Sequence, residues 1–279
     1  MRRDEVICIS GCSSGIGRSL AERLAAQGAK VYAGMHDLKS APRLTGVEPL
    51  QLDVTRPQQI RAALAMIERQ SGRLDTLINN AGINAIGPWE IVPAEVVRRV
   101  FEVNFFGAVE LTRAALPLMR RQLAGTIAMI SSLSAHVALP TGGAYAASKF
   151  AVDAFAESLS YEVRRWNIRV MSISPGGYAT GLDSRAWRPT ADSCGPYAPL
   201  LETLHAPPGA GAGTAQDAAE GIIAALDDRS GRLRYPLDET GGEVFRTLGL
   251  EQEFPRQALI RRVSGLAWWF DPREGQSDA

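Results

Sequence analysis

Tyr145 and Lys149 stand four residues apart in the stretch AYAASKF, residues 144–150, and their types and spacing suggest proton chemistry. On a helix, residues i and i+4 share a face, so a phenol and an ammonium there project into one space. A free tyrosine titrates near pH 10, so about one in a thousand is ionised at neutrality, and it is a poor general base unless shifted. A neighbouring ammonium favours the phenolate and brings the group toward the pH at which proton transfer is efficient; each unit corresponds to about 1.4 kcal/mol. The chain holds three lysines, Lys30, Lys39 and Lys149, against twenty-seven arginines, so a lysine at this spacing asks for a reason. A compact ammonium with three rotatable donors serves hydroxyl partners differently from a planar guanidinium. The same pair also occurs on solvated helix faces, so spacing alone leaves catalysis open.

The elements that must position this pair follow from the apolar pattern. Short apolar runs, EVICIS, AKVYAGM, VEPLQL, LDTLIN, GTIAMIS, IRVMSIS and LRYPL, read as strands. Between them lie helical patterns over 16–27, 57–71, 94–122 and 145–165. This βα alternation predicts an α/β fold, a mostly parallel sheet covered by helices on both faces. With 279 residues and 46% hydrophobic content the chain is long enough for one large domain, taken as 1–279. After Ser174 the rhythm breaks: Pro175, Pro189, Pro196, Pro199, Pro207, Pro208 and the run PPGAGAGT predict a long excursion, with 180–215 as a lid over a site. A helix at 215–228 and a strand near 232–236 follow, then a C-terminal extension over 237–279 ending in LAWWFDPREGQSDA.

Composition narrows the partners. Formal net charge is zero and no basic stripe or arm is present, which argues against nucleic acid. No apolar run is long enough for a signal-peptide core or a membrane span, so a soluble, cytoplasmic protein with no membrane partner is expected. Cys8, Cys12 and Cys194 are odd in number and lack ligand spacing, which fits a reducing compartment and no metal site.

The stretch CISGCSSGIG sets Gly11, Gly15 and Gly17 directly after the first strand and at the opening of an amphipathic helix. Glycines there let the chain turn sharply and let backbone N–H groups approach a pyrophosphate, which also gains from the helix dipole. The spacing is G-x-x-x-G-x-G rather than the commoner G-x-G-x-x-G dinucleotide fingerprint. In that spacing SGCSSGIG resembles the TGxxxGIG motif of the classical short-chain dehydrogenases/reductases, with Ser10 in place of the usual Thr. LDV at 52–54, NNAG at 79–82, VNFFG at 103–107 and SPGGYAT at 174–180 resemble further motifs of that family, in order and at matching spacing. The resemblance covers about residues 5 to 180.

The resemblance implies a Rossmann-type, doubly wound, mostly parallel seven-stranded sheet and hydride transfer between nicotinamide C4 and a carbinol or carbonyl carbon. Tyr145 would give a proton in reduction and take one in oxidation, helped by Lys149 and by the positive nicotinamide ring of the oxidised cofactor. Lys149 would also bond the ribose diol. Ser132, thirteen residues before Tyr145, matches the substrate-polarising serine; its neighbour Ser131 is expected to point to the opposite face by strand alternation. Asn104 matches the helix-kinking asparagine, whose backbone carbonyl would fix a water touching Lys149. Around the dinucleotide, Ser13, Ser14 and Ile16 join the three glycines. Asp53 would meet the adenine amino group with Val54 beside it. Asn80, Ala81 and Gly82 would flank the cofactor, as would Pro175, Gly176 and Tyr178, and Thr180 would reach its phosphates or carboxamide.

Cofactor choice rests on the end of the second strand, VYAGMHDLKSAPRL. By register with the family, Met35 takes the acidic position and His36 the basic one. A missing carboxylate, with His36, Lys39, Arg43 or Ser14 as phosphate partners, favours NADP(H); Asp37 argues for NAD(H) if it turns inward. GCSSGIG, KVYAGMHDLKS and RLRYPL resemble the 17β-hydroxysteroid dehydrogenase-like branch, which implies hydrophobic alcohols and ketones such as steroids and retinoids. The substrate pocket is then expected from Ile83 to Trp89, Leu133 to Leu139, Tyr178 and the lid with Trp187. His136 reads as a solvated loop residue rather than a pocket group, and Trp268 and Trp269 as cover for core or a subunit interface. Homodimers or homotetramers would form through helices spanning about 104–122 and 145–165. A cofactor-binding sensor without turnover is the competing class, and an extended-branch epimerase is disfavoured by the glycine spacing.

Overall fold

Residues Val6–Ser10 form strand β1, buried along its whole length. Alternation divides it cleanly: Cys8 joins one apolar cluster, while Ile7 and Ile9 join the other on the opposite face. The structure, a computed structural model, describes residues 4–190, 193–204 and 213–264. β1 pairs in parallel with β2 (Lys30–Met35) and with β4 (Thr76–Asn79). With β3 (Glu48–Gln51), β5 (Gly125–Ile130), β6 (Ile168–Ser174) and β9 (Arg234–Pro236) these make one seven-stranded sheet in the order β3-β2-β1-β4-β5-β6-β9, every neighbour parallel. The expected seven strands are all present. Strand order reverses between β1 and β4, and a crevice opens there at the carboxyl ends of the strands, where ligands bind in open α/β sheets.

Helices cover both faces. Helices α2 (Pro57–Ser71), α4 (Gly107–Gln122) and α5 (Gly143–Glu162) pack on one side through Ile67, Leu111 and Val152. On the other, α1 (Gly15–Ala26) and α7 (Ala215–Asp227) contribute Leu20, Leu24 and Ile222. The pattern expected as one helix over 94–122 is α3 (Ala94–Phe101) joined to α4 by a π turn at Glu102–Phe106. Such turns often mark functional sites, and this one holds Asn104.

Part of the excursion after Ser174 lies among the described residues. Tyr178–Ala179 (β7) pairs in parallel with Gly213–Thr214 (β8), and Ala198–Leu204 forms the short helix α6. Thr214 and Asp217 close a reciprocal capping box at the start of α7. In the C-terminal part, α8 (Glu239–Thr247) and α9 (Glu253–Ser264) follow β9. Residues 205–212 of the expected lid and 265–279 of the expected extension, with Trp268 and Trp269, lie outside the described residues. No described helix is long and apolar enough to cross a membrane.

One face of α5 carries Tyr145, Lys149, Asp153 and Glu157 at intervals of four. The first two face the crevice. The next two bind Arg234 of β9: its Nε and Nη2 donate to Asp153 Oδ2 at 3.0 and 2.8 Å, and Nη2 donates to Glu157 Oε2 at 2.9 Å. Ser172 Oγ donates to Asp153 Oδ1 at 2.7 Å, completing a buried network that fixes the helix against the sheet edge.

Candidate active site

At the end of β1 the chain turns through Gly11 with φ +75° and Gly15 with φ +57° into α1. A β-carbon on Gly11 would lie 2.8 Å from Ala81 Cα, and one on Gly17 would collide with Asn80 Nδ2 and Gly11 O. These glycines therefore allow the close approach of two loops as well as the turn. Ser10 Oγ accepts from Asn80 N at 3.0 Å and Ala81 N at 3.1 Å, and Asn80 Nδ2 donates to Ser10 O at 2.9 Å. The serine standing for the family's usual threonine thus ties the glycine loop to NNAG through its hydroxyl.

A cavity of about 1000 Å³ runs along this crevice. It is bordered by Gly11, Ser13, Ser14, Gly15, Ile16 and Gly17, by His36, Asp53 and Val54, and by Asn80, Ala81 and Gly82. Pro175, Gly176, Tyr178 and Thr180 border it from the other side, and Tyr145 and Lys149 sit between. These residues expected around a dinucleotide are therefore brought together, whereas Lys39 and Arg43, the other expected phosphate partners, do not border the cavity. Asp53 keeps Oδ1 on Thr55, from its N at 2.9 Å and Oγ1 at 2.7 Å. Burial raises its pKa, but the Thr55 bonds together with Arg99 and His36 hold it below the usual value. Asp37 turns into its own loop, accepting from Lys39 N at 2.9 Å and Ser40 Oγ at 2.7 Å, and does not border the cavity. Met35 is buried, so the carboxylate that might have stood at this end of β2 is missing from the cavity wall.

Lys149 is 4% exposed, and its Nζ donates to Ile130 O at 2.7 Å and lies 5.6 Å from the Tyr145 ring centroid. Burial lowers its pKa to about 8. Tyr145 behaves differently from expectation. Burial pushes its phenol up to about 12, a hydrogen bond with Ser132 pulls the other way, and the charge of Asp183 raises it further. Desolvation of the phenolate outweighs the hydrogen bond with Ser132, so the phenol is held in its neutral form.

Asn104, 2% exposed, uses its side chain structurally: Oδ1 accepts from Ile83 N at 2.8 Å, and Nδ2 donates to Ile83 O at 3.0 Å and Ser148 Oγ at 3.0 Å. It braces the π turn against α5, beside Lys149, whose Nζ would lie 3.8 Å from a β-carbon on Gly82. Ser132 accepts from Ser134 N at 3.1 Å. Ser131 and Ser132 continue the line of β5: Ser131 N donates to Ile173 O at 2.7 Å, and Ser132 is extended, with φ −167° and ψ 159°. Both border the cavity. The Ser131 hydroxyl is buried without a hydrogen-bond partner among the described residues.

The substrate side also needs correction. Ile83, Ser132, Leu139, Tyr145 and Tyr178 border the cavity, but Trp89, Leu133 and Trp187 do not. Trp89 is 60% exposed, with its indole against Gly143; Leu133 faces Gly241; Trp187 packs with Ala85, Val100 and Ala144. His136, expected in solvent, is half-buried, with Nε2 3.2 Å from Ser174 Oγ and its ring against Phe245. Asn84, Asp183, Arg185 and Arg188, all on the wall, fall within the expected 83–89 and 180–215 stretches without standing out there by type or spacing, and Arg99, also on the wall, lies outside every expected stretch. In an arginine-dominated chain nothing local marks which guanidinium faces a cleft.

The residues present fit a nicotinamide dinucleotide. A glycine cradle meets the first turn of α1, which carries no acidic residue, and the Tyr145 phenol and Lys149 ammonium border the same cavity. Among the described residues no cluster of His, Cys, Asp or Glu has the makings of a metal site, and the three cysteines are free and buried.

Residues 5–190 match the model of the short chain dehydrogenase family. The chain is 39% identical over 178 residues to a 3-ketodihydrosphingosine reductase of Bacteroides thetaiotaomicron, covering 64% of this chain and 65% of that one. It is 37% identical over 191 residues to the 17-beta-hydroxysteroid dehydrogenase type 1 of Homo sapiens, covering 63% and 58%. The match thus spans less than two thirds of each of these curated relatives. A short chain dehydrogenase from Burkholderia cenocepacia, solved in complex with NADP, superimposes with a TM-score of 0.73 at 28% identity, covering 93% of this chain and 97% of that one. Motifs, sheet order and family match agree: the chain belongs to the short-chain dehydrogenase family.

Proposed function

We propose that this protein is an NADP(H)-dependent oxidoreductase that interconverts a secondary alcohol and a ketone on a hydrophobic small molecule. The observation that carries this reading is the convergence of the Tyr145 phenol, the Ser132 hydroxyl and the Lys149 ammonium on one cavity whose far end is the glycine cradle. When bound, the nicotinamide supplies or accepts the hydride. In reduction, Ser132 would donate a hydrogen bond to the ketone oxygen, keeping its own proton, and Tyr145 would deliver the single proton as that oxygen becomes an alcohol. A phenol held at about 12 suits this direction near neutrality; oxidation requires it to be lowered by positive charge at the nicotinamide. Lys149 holds the ribose with the donors not given to Ile130 O, and Asn104 positions the π turn beside it. The turning away of Asp37 and the place of His36 on the wall support NADP(H) over NAD(H). Residues 180–215 act as the substrate lid within a single catalytic domain. Exposed Phe106 and Phe150 support pairing of two copies through the helices that carry them.

The test mixes the purified protein with NADPH or NADH and a panel of hydrophobic ketones and follows dinucleotide oxidation. Turnover with NADPH on at least one ketone supports the reading. Tight binding of dinucleotide without turnover on any of them would favour a sensor instead.

The paired serines separate by role. Ser132→Ala lowers kcat by about a hundredfold or more, because it removes a donor aimed at developing oxygen charge. Ser131→Ala leaves kcat within a few-fold and holds or raises Tm, because it deletes a buried hydroxyl that lacks a partner. Equal losses in kcat from the two would remove this distinction.

Lys149 gives a pH dependence. The protonated amine holds the dinucleotide, so affinity is flat below about pH 8 and weakens above it, by at most about tenfold per pH unit. Titrations from pH 6 to 10 check this; a flat profile through the upper range would take Lys149 out of cofactor binding.

A further inference from the structure

We infer that Arg185 is a phosphate-anchoring residue of the dinucleotide site, reaching across the crevice from the arm after β7. This rests on the nicotinamide reading above. Ser14 occupies the N-cap position of α1 with extended backbone, φ −165° and ψ 177°, where a serine hydroxyl normally accepts from an N–H of the first turn. Here it makes no such bond. Its Oγ instead accepts from Arg185 Nη1 at 2.7 Å, across 171 residues of sequence. The leading N–H groups of α1 are thereby left to another acceptor, and no acidic side chain in the first turn competes for them.

The arm is seated for this contact. Thr180 O would lie 2.9 Å from a β-carbon on Gly15, so the arm rests directly on the glycine loop. Gly181, at φ +74°, redirects the chain, and Arg185 Nε donates to its carbonyl at 3.0 Å, which fixes the guanidinium's direction. The neighbouring acid is turned elsewhere: Asp183 Oδ1 accepts from Asn84 Nδ2 at 2.8 Å. Among the described residues Arg185 makes no ion pair, and Ser14, Gly15 and Arg185 border the same cavity.

A guanidinium held at two of its donors presents the rest as a planar fork suited to phosphate oxygens. With the α1 N-terminus opposite, the two enclose an anion from both sides. Either the diphosphate shared by both dinucleotides or the ribose 2′-phosphate of NADP(H) supplies that chemistry.

Fluorescence titration of the full chain with NADPH and with NADH, for wild type, Arg185→Gln and Arg185→Lys, tests the assignment at low and at physiological salt. Arg185→Gln is expected to weaken binding about tenfold or more, with the effect shrinking as salt rises, and Arg185→Lys to recover part of it. Because the side chain is exposed, Tm should stay near wild type, which separates anchoring from misfolding. A loss confined to NADPH identifies the 2′-phosphate as the partner, and equal losses identify the diphosphate. Unchanged or tighter binding of both by Arg185→Gln overturns the assignment, the tighter case marking Arg185 as a plug. Failure of wild type to bind either dinucleotide would remove the nicotinamide reading itself, and this inference with it.

Discussion

Tyr145→Phe lowers kcat for ketone reduction by between about a hundredfold and ten-thousandfold, with dinucleotide affinity within about twofold of wild type. The range is that of a lost general acid. The phenylalanine keeps the ring that packs in the site and removes the one O–H proposed to deliver the proton. Lys149 retains its bond to Ile130 O, so the half of the site assigned to the ribose is untouched. Steady-state kinetics at saturating NADPH, with dissociation constants from fluorescence, read the two effects separately. Retention of more than a tenth of wild-type kcat would show that the proton comes from elsewhere.

The second large effect lies behind the site. Arg234→Met should cost about 3–5 kcal/mol of stability, because it leaves the Asp153 and Glu157 carboxylates buried without their shared cation. For a chain of this size that corresponds to a fall in Tm of roughly 10 °C. Asp153→Leu combined with Arg234→Met should recover a large part of the loss, since replacing both partners removes the stranded charge. Urea unfolding of the two variants beside wild type measures this. A loss below about 1 kcal/mol for Arg234→Met would mean that solvent or Arg256, which also binds Glu157, relieves the carboxylates. The network matters to catalysis because Asp153 and Glu157 continue the helical face that bears Tyr145 and Lys149.

Much of the site was legible because its parts are local. The glycine spacing after β1, the four-residue interval on α5 and the NNAG and SPGG stretches each encode a turn or a face within a few residues, where backbone geometry is set by the chain itself. The alternation of strand and helix patterns likewise predicts helices on both faces of the sheet, where the two apolar clusters lie. Trp89, Leu133 and Trp187 mark where this kind of reading stops. Each lies in a stretch that borders the cavity, but which side chains of a loop face a cleft is set by the segments packed against it.

The sequence by itself determined the seven parallel strands, the glycine-rich turn after β1 and the helical face shared by Tyr145 and Lys149, because each rests on short-range periodicity or on a motif whose spacing is fixed by one turn. The tertiary structure alone decided the direction in which the phenol's pKa moves and which arginines border the cavity. Tyr145 and Lys149 were read as a charge pair that lowers the phenol's pKa, but packing removes the water that such a pair needs, and burial reverses the sign. Arg185 reaches Ser14 only because β7 and the turn at Gly181 fold the arm back across the crevice. Desolvation and contacts between distant segments depend on what the whole chain excludes from one place, and no window of sequence contains that.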